Sequence, residues 1–299
     1  MGFKKQHIPW NKGLGTKINN CKNCGKPFSV IRARIKDKRG KFCSLKCHWN
    51  YKYKLSSEIV LTPNISELVG VIIGDGCLFN PYKNTDSHTI TISGNPIEDK
   101  TYMEYYLPKL IKKCLKKKVK PFIAPNGAYI IIFSDEPFRI FLNRLGIKPN
   151  KTKTVNIPIE IIKKHELLVR CIRGIADTDF TFIAANKNGR KNVYPRITSH
   201  FASKNLVEDL EESLRNLGFT LNTKYKVIRL DKRGFITLSN YINLDGPHNL
   251  NKWLKLIGFK NMRIITRYKY WEKFGYLPPK TTLSQRMKAL GLEEGDGDG

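Results

Sequence analysis

The chain has 299 residues, with 54 Lys and Arg against 25 Asp and Glu for a formal net charge of +29. Hydrophobic residues at 40% and aromatics at 11% exclude a disordered basic tail and indicate packed globular structure. So large a positive excess repels itself unless a polyanion neutralises it, which makes nucleic acid the expected partner. No apolar run is long enough to span a bilayer and no signal peptide with an apolar h-region is evident, so an intracellular location is expected, in cytoplasm or organelle, with no membrane partner.

The first 54 residues hold 15 Lys or Arg and a single acid, Asp37, for a net +14. Within them Cys21 and Cys24 form a C-x2-C pair and Cys43 and Cys47 a C-x3-C pair, 18 residues apart. Four thiolates at such spacings close a tetrahedral Zn²⁺ site, and in so short a segment the metal substitutes for a hydrophobic core. Residues 1–56 are therefore read as a basic arm followed by a four-cysteine zinc finger of treble-clef-like form. Its loop carries Arg32, Arg34, Lys36, Lys38, Arg39 and Lys41, expected to contact nucleic acid. The other three cysteines, Cys77, Cys114 and Cys171, are read as small buried apolar residues in a reducing compartment.

A helix is predicted to start after Pro63, with Asn64 as N-cap and Glu67 completing a capping box. From there four landmarks occur twice, about a hundred residues apart. First comes an apolar helix ending in an acid, Leu68 to Gly76 and again Ile172 to Phe180. A short strand and a helix follow, Thr89–Ile92 before Tyr102–Leu115 and Arg196–Thr198 before Leu206–Leu217. Then come two strands around a glycine, Gly127 or Gly234, and a helix closing on Gly146 or Gly258. Each repeat reads αββαββα, which makes the fold class α+β with two pseudo-symmetric repeats. The boundaries are 57–155 and 156–275, with a C-terminal helix and acidic tail over 276–299.

Gly70 and Gly74 are four residues apart, as are Gly174 and Thr178, so each first helix bears a stripe of small residues. Packing through those stripes would bring the helix ends together and set Asp75 beside Asp179. Two carboxylates at helix C-termini meet both the negative end of the dipole and each other's charge. A divalent cation reverses both penalties, and carboxylates with neighbouring backbone carbonyls make a hard oxygen site suited to Mg²⁺ or Mn²⁺.

These residues resemble the LAGLIDADG homing endonucleases of the single-chain, two-motif, intron-encoded type, over about residues 60–270. The resemblance implies a DNA-binding saddle of two sheets and site-specific double-strand cleavage. It implies metal held by Asp75, Asp179 and the carbonyls of Gly74 and Thr178. A monomer is expected, since both repeats lie in one chain. The resemblance also implies a basic residue beyond each motif, for which Lys151 and Arg263 are favoured over Lys153 and Lys260. Phe180 stands where the motif has Gly, so a turn requiring φ > 0 there would be strained; as apolar packing, it is expected to tolerate Phe180→Gly.

Alternating side chains on β-ribbons suit the major groove. The expected DNA contacts are Lys83 and His88 in the first repeat, and Lys187, Arg190, Lys191, Arg196, His200, Lys224, Lys226, Lys232 and Arg233 in the second. Two alternatives stay open, an RNA-binding intron maturase with intron RNA as partner, and a catalytically inactive DNA-binding protein of the same fold. An intein is not expected, since Met1 offers no splicing nucleophile.

Overall fold

The computed structural model describes residues 15–36, 39–78, 88–230, 234 and 236–292, with the backbone alone for Lys187, Arg190 and Arg229. Four expected DNA contacts, Lys38, Lys83, Lys232 and Arg233, lie outside the described residues, as do most of the basic arm and the acidic tail after Leu292. The chain divides into two compact units, residues 1–59 and 60–299.

In the first unit, β1 (Thr16–Asn20) and β2 (Pro27–Ile31) form an antiparallel hairpin, followed by α1 (Arg32–Lys36) and α2 (Leu45–Ser57). The Cys21 amide donates to Lys26 O and the Gly25 amide to Cys21 O, folding the chain between the strands into a tight knuckle. Ser44 starts α2, its Oγ accepting from the Cys47 amide at 3.1 Å. Among the described residues of this unit, Cys21 and Val30 are the buried apolar side chains, a small core for which a cross-link would compensate.

The second unit opens with α3 (Pro63–Gly74), β3 (Gly76–Cys77) and β4 (Thr89–Gly94). A π turn over Tyr102–Tyr106 leads into α4 (Leu107–Leu115), then β5 (Phe122–Ile123), β6 (Tyr129–Ser134) and α5 (Glu136–Arg144). A 3-10 turn at Lys151–Lys153 and the short α6 (Ile159–Ile162) connect to α7 (His165–Asp179). There follow β7 (Thr181–Lys187), β8 (Arg190–Phe201), α8 (Lys204–Asn216), β9 (Asn222–Leu230), β10 (Ile236–Asp245) and α9 (Gly246–Leu256). The order αββαββα thus occurs twice, and the two sheets share one strand order, β3-β4-β6-β5 and β7-β8-β10-β9. Two more helices, α10 (Met262–Phe274) and α11 (Leu283–Leu290), complete the unit. Gly146 and Gly258 both take φ > 0, +83° and +70°, as helix-terminating glycines do.

In the second sheet, Ile197, Ser199, Ile242 and Leu244 are buried, and alternation sends Arg196, Thr198, His200, Tyr241 and Asn243 to the opposite face. That face is laced by cross-strand pairs: Thr198 with Asn243, Arg196 with Asp245, and the stacked rings of His200 and Tyr241.

The start of α3 differs from the predicted capping box. Thr62 is the N-cap, its Oγ1 accepting from the Ile65 amide, because Pro63 occupies the first helical position where no amide hydrogen is needed. Glu67 is therefore released from capping. It is fully buried between α3 and α7, where Arg173 donates to both carboxylate oxygens at 3.1 and 2.6 Å and the Tyr106 hydroxyl donates to Oε1. The cysteine expectation holds for Cys171 alone, since Cys77 is exposed and Cys114 half-buried.

Candidate active site and metal centre

The small-residue stripe on α3 begins at Ser66, one turn before Gly70, and its Oγ donates to Leu167 O of α7 at 2.6 Å. At Gly70 a β-carbon would stand 2.1 Å from Cys171 O, and at Gly174 one would stand 2.2 Å from Glu67 O. The helix backbones therefore touch, which only glycine permits at these points. One turn further on, a β-carbon at Gly74 would meet Thr178 Oγ1 at 2.0 Å and Asp179 Oδ2 at 2.1 Å. Close packing thus delivers the Asp179 carboxylate against the C-terminal end of α3, whose capping residue is Asp75.

The two cations favoured from sequence are brought to the same place, one at each helix end. Lys151 Nζ donates to Ile73 O at 2.6 Å and Gly74 O at 3.2 Å. Arg263 Nη2 donates to Thr178 O at 2.8 Å and Asp177 O at 3.3 Å. Each thereby satisfies terminal carbonyls that the helices leave unpaired and opposes the negative end of a dipole. The carbonyls of Gly74 and Thr178, expected as metal ligands, are already hydrogen-bonded to these cations, each with a second lone pair still to offer. A cavity of about 210 Å³ opens beside them, lined among others by Gly74, Lys151, Asp179 and His200.

The electrostatics of the centre favour a further cation. Burial, followed by the charges of Asp179 and Asp99, pushes the Asp75 carboxyl up to about 8, against the pull of Arg263 and Lys151. Asp179 is raised as well, by burial, against a hydrogen bond from Thr178 and the charges of Lys151, Arg263 and His200. Burial lowers Lys151, and the charges of Asp179 and Asp75 counter it. Two carboxyls held together where their ionised forms are disfavoured, beside carbonyl oxygens, fit a hard divalent cation.

At Phe180 the apolar packing expected from the sequence is present, while the expected turn strain is not. The residue's φ is −84° with extended ψ, so no left-handed turn is demanded, and Gly76 at the matching place is likewise absent from the positive-φ residues. Gly76 is needed for closeness instead, since a β-carbon there would sit 2.5 Å from Ile72 Cα. Phe180 is fully buried against Trp253 and Phe201, with ring centroids 5.6 and 5.9 Å away. Phe180→Gly would empty that space and cost about 3–5 kcal/mol, more than a tolerated change.

Three residues to which the sequence reading gave no role complete the centre. Asp177 is fully buried and accepts from the amides of Lys260 and Asn261 at 2.8 and 3.0 Å; burial raises its carboxyl to about 7 against those two bonds. Asn261 caps α10, and Asp99 lies 3.1 Å from Arg263 Nε. The one local signal is Asp177, an acid where the first repeat has Ile73.

The expected DNA contacts fall into several settings. Arg32, Arg34 and Lys36 are exposed on α1, and Arg39 is exposed after it. Lys191, Lys224 and Lys226 are exposed on the second sheet, Lys226 with φ +52° where the β9–β10 register shifts. Arg196 is tied to Asp245, and His88 lies 3.4 Å from Glu136 on α5. Lys187 and Arg190 pair across β7 and β8.

In the first unit, one sulfur from each of Cys21, Cys24, Cys43 and Cys47 lies within 4.8 Å of the other three. The knuckle supplies the first pair, and the loop before α2 and its first turn supply the second. Four converging thiols without a disulfide have the donor set and compactness of a structural zinc site. Elemental analysis of the full chain is expected to find one Zn²⁺ per molecule, lost in the Cys21→Ser, Cys24→Ser double variant. That variant should bind DNA more weakly, with a flatter salt dependence, as phosphate contacts are lost; unchanged zinc content would remove these thiols from the metal site.

No protein-family model matches the chain. Among curated proteins, the replication factor C small subunit of Methanocaldococcus jannaschii is 24% identical over 216 residues, 72% of this chain and 10% of that protein. The chain thus spans a tenth of that relative's length. Similar solved structures include the N-terminal LAGLIDADG domain of DUF199/WhiA, at 15% identity and a TM-score of 0.43 over 70% of this chain and 90% of that one. Another is the homing endonuclease I-WcaI bound to its DNA recognition sequence, at 17% identity and 0.42 over 79% and 96%. A third is the LAGLIDADG homing endonuclease I-GzeII in complex with its DNA target, at 11% identity and 0.45 over 72% and 90%. Among the described residues no helix is long and apolar enough to cross a membrane.

Proposed function

We propose that this chain is a metal-dependent, site-specific DNA endonuclease of the LAGLIDADG homing type, cutting both strands of a long duplex target. The observation that carries this reading is the convergence at the α3 and α7 termini, where two helix-end aspartates meet two cations that each bond the adjoining helix carbonyls. Unlike Asp177, which is raised by burial but accepts from two backbone amides, Asp75 and Asp179 face each other beside two cations, an arrangement that a bound divalent ion would complete.

Asp75 and Asp179 would hold Mg²⁺ or Mn²⁺, with the carbonyl oxygens of Gly74 and Thr178 beside them. Bound there, the ion supplies charge neutralisation at a phosphate and acidifies water for attack. Lys151 and Arg263 present positive charge at the same centre, where charge develops on a phosphoryl group during cleavage. The polar face of the second sheet, with His200, Tyr241, Thr198, Asn243 and Lys224, presents donors and acceptors on alternate strand residues, as a β-ribbon seated in a major groove would. Net charge of +29 attracts the duplex without regard to sequence.

The test is a duplex joining the two genomic flanks of the element that encodes the chain, with the element itself removed. Incubation with Mg²⁺ is expected to give two defined fragments, and EDTA none. Binding without cleavage in Mg²⁺ or Mn²⁺ would leave a DNA-binding protein of this architecture and overturn the nuclease reading.

A further inference from the structure

The two cations at the centre are held differently. Lys151 is fixed by the carbonyls of Ile73 and Gly74 on its own side. Arg263 also has a carboxylate partner from the other repeat: Asp99, in the loop after β4, forms an ion pair with it, Oδ1 lying 3.1 Å from an Arg263 Nε that is buried and makes no hydrogen bond. Asp99 is itself locked in place. Its Oδ2 accepts from the Asn95 amide at 2.8 Å and its Oδ1 from Asn261 Nδ2 at 2.8 Å, and it is only 9% exposed. Asn261, 1% exposed, gives its Nδ2 also to Asp177 O at 2.9 Å and accepts from the Arg263 amide at 2.9 Å. Both the start of α10 and the side chain it carries are therefore tied to one buried carboxylate. A guanidinium bonds through a planar fork, so its direction depends on where its partners stand, whereas an ammonium acts as a point charge.

We propose that Asp99 is a positioning residue for one half of the centre, orienting Arg263 through direct pairing and through Asn261, so that its loss impairs cleavage of one DNA strand while the half served by Lys151 continues to work. This rests on the nuclease reading. Misplacement of a catalytic group by about 1 Å costs on the order of 10²-fold in rate, and that is the scale expected for the affected strand.

The experiment uses the full chain and a supercoiled plasmid carrying the joined-flank duplex. Wild type is expected to pass through nicked to linear DNA. Asp99→Ala should nick at a rate close to wild type and then stall, with nicked circles accumulating. Asp99→Asn, whose Oδ1 still accepts from Asn261, guards against a folding failure and should give an intermediate delay. In an Arg263→Ala background, Asp99→Ala should add nothing further. Equal slowing of both strands, or additive effects in the double variant, would overturn the proposal. A readout independent of cleavage is the Arg263 side-chain Nε–H resonance in ¹⁵N-arginine-labelled protein. It should stand apart from solvent-exposed arginines in wild type and move toward them in Asp99→Ala; a resonance unmoved by the substitution also overturns the proposal. Wild type that cuts neither strand while this resonance shifts as expected refutes the nuclease reading alone, with Asp99 still shown to orient Arg263.

Discussion

Gly70→Ala and Gly174→Ala are each expected to destabilise the protein by about 3 kcal/mol or more, out of a total of roughly 5–15 kcal/mol. The sign is diagnostic, because Gly→Ala inside an unencumbered helix stabilises by about 1 kcal/mol through propensity. Here the added carbon would meet backbone on the facing helix: Cys171 O at 2.1 Å for Gly70, and Glu67 O at 2.2 Å and Val71 N at 2.8 Å for Gly174. Rigid backbone offers no rotamer to escape into, so α3 and α7 must separate. Separation would also strain the buried Glu67–Arg173 pair and the Ser66–Leu167 hydrogen bond. Urea denaturation is the measurement, with Glu212→Ala on the exposed surface of α8 as a control expected within about 0.5 kcal/mol of wild type. Midpoints for the glycine variants at or above wild type would mean that the helices do not meet as closely as described.

The second large effect is on catalysis. Asp75→Asn and Asp179→Asn should each lower the cleavage rate by about 10³-fold or more, while DNA affinity measured in Ca²⁺ or EDTA holds or rises. Each substitution removes an anionic oxygen from the proposed metal set and leaves the basic surface intact. Stability should move the opposite way. The Asp75 carboxyl is raised to about 8 in the folded chain, chiefly by burial. Between its ordinary range near 4 and that value the folded state keeps a proton that the unfolded state releases, so this group costs stability increasingly as pH rises across the window. Metal-free Asp75→Asn is therefore expected to melt above metal-free wild type at pH 8, with the difference shrinking toward pH 4. Mg²⁺ should raise the melting temperature of wild type more than that of the variant. Undiminished cleavage by either variant would take that carboxylate out of the mechanism.

Much of the architecture was legible before any coordinates. The two apolar helices, the strand pairs around Gly127 and Gly234 and the helices closing on Gly146 and Gly258 are all local signals, set by periodicity and turn chemistry within short windows. The four cysteines announce themselves by spacing. The helix ends bearing Asp75 and Asp179 were legible because small residues four apart define a face, and their repetition supplies the partner face. What misled was also local: Asn64 and Glu67 have capping-box spacing, but Pro63 moves the helix start back to Thr62, and Glu67 is drawn instead to Arg173 across the interface. The turn at Phe180 was read against a motif glycine, although the backbone there is extended; its apolar packing, against Trp253 and Phe201, was legible.

The amino-acid sequence by itself determined the repeat order, the cysteine cluster, the small-residue stripes, the helix-end acids and the charge that calls for a polyanion, because each depends on neighbours within a few residues or on composition. Tertiary structure alone decided that Lys151 and Arg263 bond the ends of α3 and α7, that Asp99 reaches Arg263 from 164 positions away in the numbering of the chain, and that Asp177 and Asn261 join them. Those contacts are made between segments whose separate sequences carry no sign of one another. Their side chains acquire partners, and the carboxyls their raised proton affinity, only when packing of the two helices excludes water from the space they share.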